Sequence, residues 1–141
     1  MIEITPIAPH EYDLAFRTMR ENMEPYHKAH ELPWNQDWIE ANYLDKDNYS
    51  IFCSGRWSGF LSLEWGDREL FIHSLQLSSE AQGSVYGYRA YQWLLRQTES
   101  RGTTELVCRT FRASPLIQLY QRLGFTPVRE EGMLVTLKKA L

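Results

Sequence analysis

The sequence predicts an α/β domain built on a sheet of mixed strand direction. Two observations carry that expectation. Three β-prone runs follow one another between Tyr49 and Leu77 with short turns between them, which reads as an antiparallel meander. After them the chain alternates strand, helix, strand, helix, strand, strand, the pattern of an α/β sheet. The 141 residues suit one domain with a real core, spanning 1–141, and 43% hydrophobic against 23% charged residues marks a chain that folds rather than one that stays disordered.

In chain order, Ile2 and Ile4 alternate with Glu3 and Thr5, an edge strand ended by Pro6 and Pro9. From Glu11 the period changes: Tyr12, Phe16, Met19, Met23 and Tyr26 recur at three and four residues and predict a helix with one apolar face. Pro25 is expected to break or kink it near its end. His27 to Pro33 reads as a polar link, and Asn35 as the cap of a short second helix carrying Trp38 and Ile39. Asp45 to Asn48 is expected to be a loop.

The meander then runs Tyr49–Cys53, Trp57–Leu63 and Leu70–Leu77, with Gly59 marking a bulge or a close backbone approach. A helix with Gly87, Ala90, Tyr91, Leu94, Leu95 and Thr98 on one face follows, and Gly102 supplies its left-handed end. Glu105–Thr110 is a strand. Ser114 and Pro115 start a helix whose apolar face is Leu116, Leu119, Tyr120 and Leu123, ended by Gly124. Phe125 to Arg129 and Met133 to Leu137 are the last two strands, with Lys138-Lys139 as a basic tail. The expected order is β-α-α-β-β-β-α-β-α-β-β.

A net charge of -3 and a pI near 5.8 argue against a general nucleic-acid surface. No apolar run is long enough to span a bilayer and no charged-then-apolar leader opens the chain, so neither a membrane partner nor export is expected and the location expected is the cytoplasm. Cys53 and Cys108 fall inside predicted strands, the placement of buried free thiols. His27 and His30 lack a carboxylate at helical spacing, so no metal site is expected.

Function enters through the stretch Glu69 to Gly102. A strand feeds a turn, Gln82-Gly83-Ser84-Val85-Tyr86-Gly87, and the turn feeds a helix. Backbone N–H groups of such a turn and of the helix start point the same way and favour a diphosphate. Glycine at 83 and 87 lets backbone approach a ligand with no Cβ in the way.

That turn, the order of elements and the closing Leu119-Tyr120-Gln121-Arg122-Leu123-Gly124-Phe125 resemble the GCN5-related N-acetyltransferase (GNAT) superfamily, specifically over about residues 69 to 129. Its pyrophosphate loop reads Gln/Arg-x-x-Gly-x-Gly/Ala; here Gln82 and Gly87 match and Val85 replaces the middle glycine. The resemblance implies a GNAT-like fold with a mostly antiparallel sheet, helices on both faces, and acetyl-CoA as acetyl donor held by Gln82, Gly83, Ser84, Val85, Tyr86 and Gly87. It implies that the backbone of Leu75, Gln76 and Leu77 pairs with the pantetheine arm and polarises the thioester carbonyl. It also implies a cofactor contact where the next helix begins, at Ser114, with Ala113 in the register of the family's frequent Asn. Arg112 and Arg122 fall near the expected cofactor mouth. Tyr120 matches the tyrosine that donates a proton to the departing thiolate. Val85 departs from the loop pattern because a β-branched residue disfavours positive φ and crowds the approach.

The family has no fixed general base. His73, two residues before Leu75 on one strand face, has chemistry suited to the task, and Glu64 on the neighbouring strand is the second candidate. Tyr26, His27, His30, Trp34 and Trp38 cluster in the helices that cover the acceptor in this superfamily, and core packing is an equal reading of them. The expected activity is acetyl transfer to a primary amine, of a small molecule or a peptide, by direct attack in a ternary complex. The alternative is a non-catalytic acyl-CoA-binding module of the same fold. An exposed last strand offers an edge for a homodimer.

Overall fold

The computed structural model describes residues 1–83 and 85–141. Its elements follow the expected order: β1 (Ile2–Pro6), α1 (Tyr12–Ala29), α2 (Gln36–Leu44), β2 (Asp47–Cys53), β3 (Arg56–Trp65), β4 (Glu69–Leu77), α3 (Tyr86–Arg101), β5 (Glu105–Phe111), α4 (Leu116–Arg122), β6 (Thr126–Glu131) and β7 (Leu134–Ala140). The strands form one mixed sheet in the order β1-β2-β3-β4-β5-β7-β6. By internal contacts the chain divides into two compact units, Met1–Leu63 with Ser74–Leu95, and Glu64–His73 with Arg96–Leu141.

In the first unit, β1, β2 and β3 pair antiparallel, with Ile4 opposite Ile51 and Ser50 opposite Phe60. Phe60 is fully buried and takes the rings of Phe16 from α1 and Tyr43 from α2 edge-on. Tyr49, one residue along β2 and so on the other sheet face, packs against Trp93 of α3. Helices therefore cover both faces here. Asn35 caps α2 as expected, its Oδ1 accepting from the Trp38 N–H at 3.0 Å.

Gly59 shows why a side chain is not tolerated there. A Cβ would lie 2.6 Å from the Gln76 carbonyl oxygen and 3.2 Å from Ile51 Cδ1. The β2–β3 register shifts between Ile51 and Phe52, opposite this point. Both the bulge and the close approach are present.

In the second unit, β4 and β5 pair in parallel from Glu69 with Glu105 to Ile72 with Cys108. The other pairs here, β5 with β7 and β6 with β7, are antiparallel. Leu70, Leu106 and Leu137 are fully buried, with Ile72 and Cys108 almost so.

Four expectations need correction. α1 runs on to Ala29 beyond Pro25: proline removes one donor, while the His30 N–H still closes on the Tyr26 and His27 carbonyls. The expected loop before Tyr49 ends earlier, because Asp47 and Asn48 already pair with Leu63 and Ser62. Lys138 and Lys139 are no tail: they lie in β7 opposite Val107 and Leu106, and Lys138 Nζ reaches Glu105 at 3.4 Å. The last strand is not an edge, since the β6–β7 hairpin places β7 between β5 and β6 and leaves β6 outermost.

Candidate active site

The turn after β4 is held from both ends. Ala81 and Gln82 N–H groups close on the Ser78 carbonyl at 2.9 and 3.1 Å. Gly83 then takes φ +72, a left-handed conformation glycine adopts freely, and a Cβ there would meet nothing within 4 Å. Backbone conformation alone therefore calls for glycine at 83. Ser84 lies outside the described residues.

Val85 is exposed and is not among the residues with positive φ. Its carbonyl accepts from the Arg89 N–H at 3.0 Å, opening α3. The strain expected from a β-branched residue does not arise, because the left-handed step falls on Gly83. Tyr86 and Gly87 stand in the first turn of α3, which carries no acidic residue. The positive end of the helix dipole lies at this start and favours an anion. A Cβ at Gly87 would make only ordinary contact with Leu77 Cδ1 at 3.6 Å.

The same turn reveals a residue that sequence reasoning missed. Asn22 on α1 donates through Nδ2 to the Gln76 side chain at 3.0 Å and to the Leu77 carbonyl at 2.9 Å. Gln82 Nε2 donates to that carbonyl at 2.9 Å and to Asn22 Oδ1 at 3.0 Å. One amide thus ties the end of β4 to the turn. Gln82 holds the Leu77 backbone with its side chain, Gln76 accepts from Asn22 and donates to Ser74 Oγ at 3.1 Å, and Leu75 is half-buried beside them. Only a contact 54 residues apart in sequence could have revealed Asn22.

His73 and Glu64 come together. His73 Nε2 lies 2.6 Å from Glu64 Oε1, and the imidazole stacks on Phe71 with ring centres 4.4 Å apart. His73 is half-buried and Glu64 exposed, so the pair reaches solvent.

Tyr120 packs against Phe125, ring centres 5.3 Å apart. The residue as a whole is half-buried, but its phenol is densely surrounded, and this burial pushes its pKa well above the usual tyrosine value; neighbouring Cys108 adds to the rise. Cys108 is itself pushed up to about 12 by burial. Both side chains stay protonated at neutral pH, and neither cysteine is an activated nucleophile: both are buried and free.

The cap of α4 is Pro115 and not Ser114 as expected; Ser114 stands one residue earlier, and its Oγ accepts from the Leu116 N–H at 3.1 Å. Arg112 is tied to Glu130 at 2.9 Å and to the Gly132 carbonyl at 2.8 Å, a hairpin clasp. Arg122 is exposed at the end of α4. Of the amino-terminal aromatics, Trp34 packs on the cluster of Ala15, Met19, Ile39 and Phe60 and meets His27 edge-on, whereas Trp38 is 63% exposed. Core packing claims the first and leaves the second on the surface. Among the described residues no group of three or more His, Cys, Asp or Glu could hold a metal ion.

A family model described as the acetyltransferase (GNAT) family matches residues 12–125. The chain belongs to that family. The comparison with curated proteins returned no match. Solved structures agree on the fold. The PaiA N-acetyltransferase of Thermoplasma acidophilum in complex with coenzyme A is 16% identical, with a TM-score of 0.80 over 100% of this chain and 99% of that one. The ribosomal-protein-S18-alanine N-acetyltransferase of Escherichia coli is 16% identical at a TM-score of 0.75, covering 99% and 94%. A GNAT family acetyltransferase from Elizabethkingia anophelis with acetyl-CoA bound is 18% identical at a TM-score of 0.72, covering 99% and 98%.

Among the described residues no helix of this GNAT chain is long and apolar enough to cross a membrane.

Proposed function

We propose that this chain is an acetyl-CoA-dependent N-acetyltransferase that acts on a primary amine by direct attack in a ternary complex, as one catalytic domain over residues 1–141. The observation that carries the amine-acetylating part is the His73–Glu64 pair, a base with an orienting carboxylate at 2.6 Å. The donor would lay its pyrophosphate on the 82–87 turn, where Gly83 bends the backbone and the start of α3 supplies N–H groups. The pantetheine arm would run along the backbone of Leu75, Gln76 and Leu77. Two relatives of this fold, from Thermoplasma acidophilum and Elizabethkingia anophelis, carry coenzyme A or acetyl-CoA.

In the proposed reaction the amine nitrogen bonds to the acetyl carbon and the carbon–sulfur bond breaks. His73 accepts the proton the amine loses, and Glu64 holds the imidazole and balances its charge. The departing thiolate is met by the Tyr120 hydroxyl. Burial keeps this phenol protonated and so able to donate. Ser114, whose Oγ accepts from the Leu116 N–H, would meet the cofactor through its hydroxyl proton at the start of α4. The reading places the protein in the cytoplasm, in keeping with two free thiols, and leaves the outer edge of β6 for a homodimer.

The rival is an acyl-CoA-binding module without turnover. Its motive was Val85, whose backbone here needs no positive φ. A CoA-release assay over a broad amine panel separates the two. The proposal expects release with at least one amine, and Tyr120→Phe to slow turnover more than it weakens CoA binding. Thermal stabilisation by acetyl-CoA with no release from any amine would favour the rival; stabilisation by ATP or NAD and none by CoA would defeat both.

A further inference from the structure

The sheet face that carries His73 also carries an arginine without an ionic partner. Phe71 and His73 stack on one face of β4, and the Arg109 guanidinium of β5 stands 6.0 Å from the centre of the Phe71 ring, on that same face. Arg109 pairs with Thr136 of β7, and Thr136 with Arg129 of β6, so this face continues across the unit. Three carboxylates along it are taken, and Glu69 lies at the far end of β4, opposite Glu105. Glu64 meets His73 at 2.6 Å, Glu105 meets Lys138 at 3.4 Å, and Glu131 meets Arg129 at 3.1 Å. Among the described residues Arg109 meets none, and it is exposed.

We infer that Arg109 recognises a carboxylate on the acceptor, so that the substrate class is an amine that also bears a carboxylate, an amino acid or short peptide rather than a simple alkylamine or polyamine. This rests on the reading of His73 as the base. His73 and Arg109 each follow the last pair of the parallel register, Ile72 with Cys108, so they leave the same face of neighbouring strands. An arginine fork fits a carboxylate with two parallel hydrogen bonds. A molecule anchored there holds its amine within a few bonds of the imidazole. A polyamine would instead bring a second cation against the guanidinium, which costs binding.

The test uses the full-length protein and acceptor pairs that differ only in charge, amino acids and dipeptides beside their carboxamides. The acid form should show a KM about ten- to hundredfold below its carboxamide, the range of a charge-assisted contact, with similar kcat. Arg109→Gln should raise KM for the acid to that of the carboxamide, leaving kcat, the carboxamide's KM and the thermal shift with CoA unchanged. Arg109→Lys should recover part of the preference. Equal KM for acid and carboxamide in the unsubstituted protein would overturn the inference, as would a loss in Arg109→Gln that falls on both forms alike. If no amine releases CoA, the acetyltransferase reading fails on its own. Calorimetric titration of the same pairs then decides this point: an acid-selective binding that Arg109→Gln abolishes upholds it, and binding that ignores the carboxylate overturns it.

Discussion

His73 Nε2 lies 2.6 Å from Glu64 Oε1 while the imidazole face rests on Phe71. The stack fixes the plane of the ring, and the carboxylate fixes its rotation within that plane. A base positioned in this way accounts for about 10²–10⁴ in rate. His73→Gln should therefore lower kcat by about two orders of magnitude, with CoA binding intact. Glu64→Gln keeps the shape but loses the charge, and a smaller fall of about tenfold is expected. Steady-state kinetics with a saturating amine checks both, and a His73→Gln variant with an unaltered kcat would remove this residue from the chemistry.

The turn before α3 allows a sharper comparison between two neighbours. Gly83 sits at φ +72 with open space around it, so Gly83→Ala meets strain and no clash. A cost of about 1 kcal/mol in stability is expected, and a larger loss in CoA affinity as the turn relaxes away from the helix start. Val85 is 57% exposed, with a backbone that suits any residue. Val85→Ala should leave CoA affinity within about threefold, well under 1 kcal/mol. Titration of both variants with CoA reads the difference directly.

These two positions also mark what could be read in advance. Periodicity is a local property, so the order of elements, the Asn35 cap and the left-handed Gly102 were legible in the sequence. So was the close approach at Gly59, since a glycine inside a strand has few other uses. The Asn22 network was not, because an asparagine on the polar side of a helix gives no sign of a partner 55 residues away. Nor was the place of Lys138 and Lys139, whose charge suggests a tail until β5 is seen pairing beside them. His73 and Glu64 were separately visible as chemically apt residues. Their meeting depends on how β3 and β4 turn at Gly66, where the N–H of that residue closes on the Glu69 carbonyl at 2.7 Å.

Gly59→Ala tests the core of the first unit. The added Cβ would stand 2.6 Å from a backbone oxygen and 3.0 Å from Leu77 Cδ2, and a carbonyl cannot rotate away as a flexible side chain can. The strands must part, at a cost of about 1–3 kcal/mol. The urea midpoint should fall with an unchanged m value. Because the Gln76 carbonyl lies on β4, CoA affinity should fall as well.

Cys108 and Tyr120 make stability fall at alkaline pH. Burial raises the Cys108 thiol from 9.0 to about 12 and raises the Tyr120 phenol above 10.0. Each group holds its proton more tightly folded than unfolded. Their contribution is therefore complete below the unfolded values and is lost as pH rises towards the folded ones, since the unfolded chain releases protons that the folded chain keeps. From pH 9 to about 12 the thiol alone should cost about 1.4 kcal/mol of stability per pH unit, and the phenol steepens the fall above 10.0. Cys108→Ala leaves a small cavity and a lower starting stability, yet it should flatten the slope between pH 9 and 10, where the thiol supplies most of this pair's titration. Urea unfolding at half-unit steps of pH measures that slope, and equal slopes in the two proteins would show that the Cys108 thiol keeps an ordinary proton affinity in the fold.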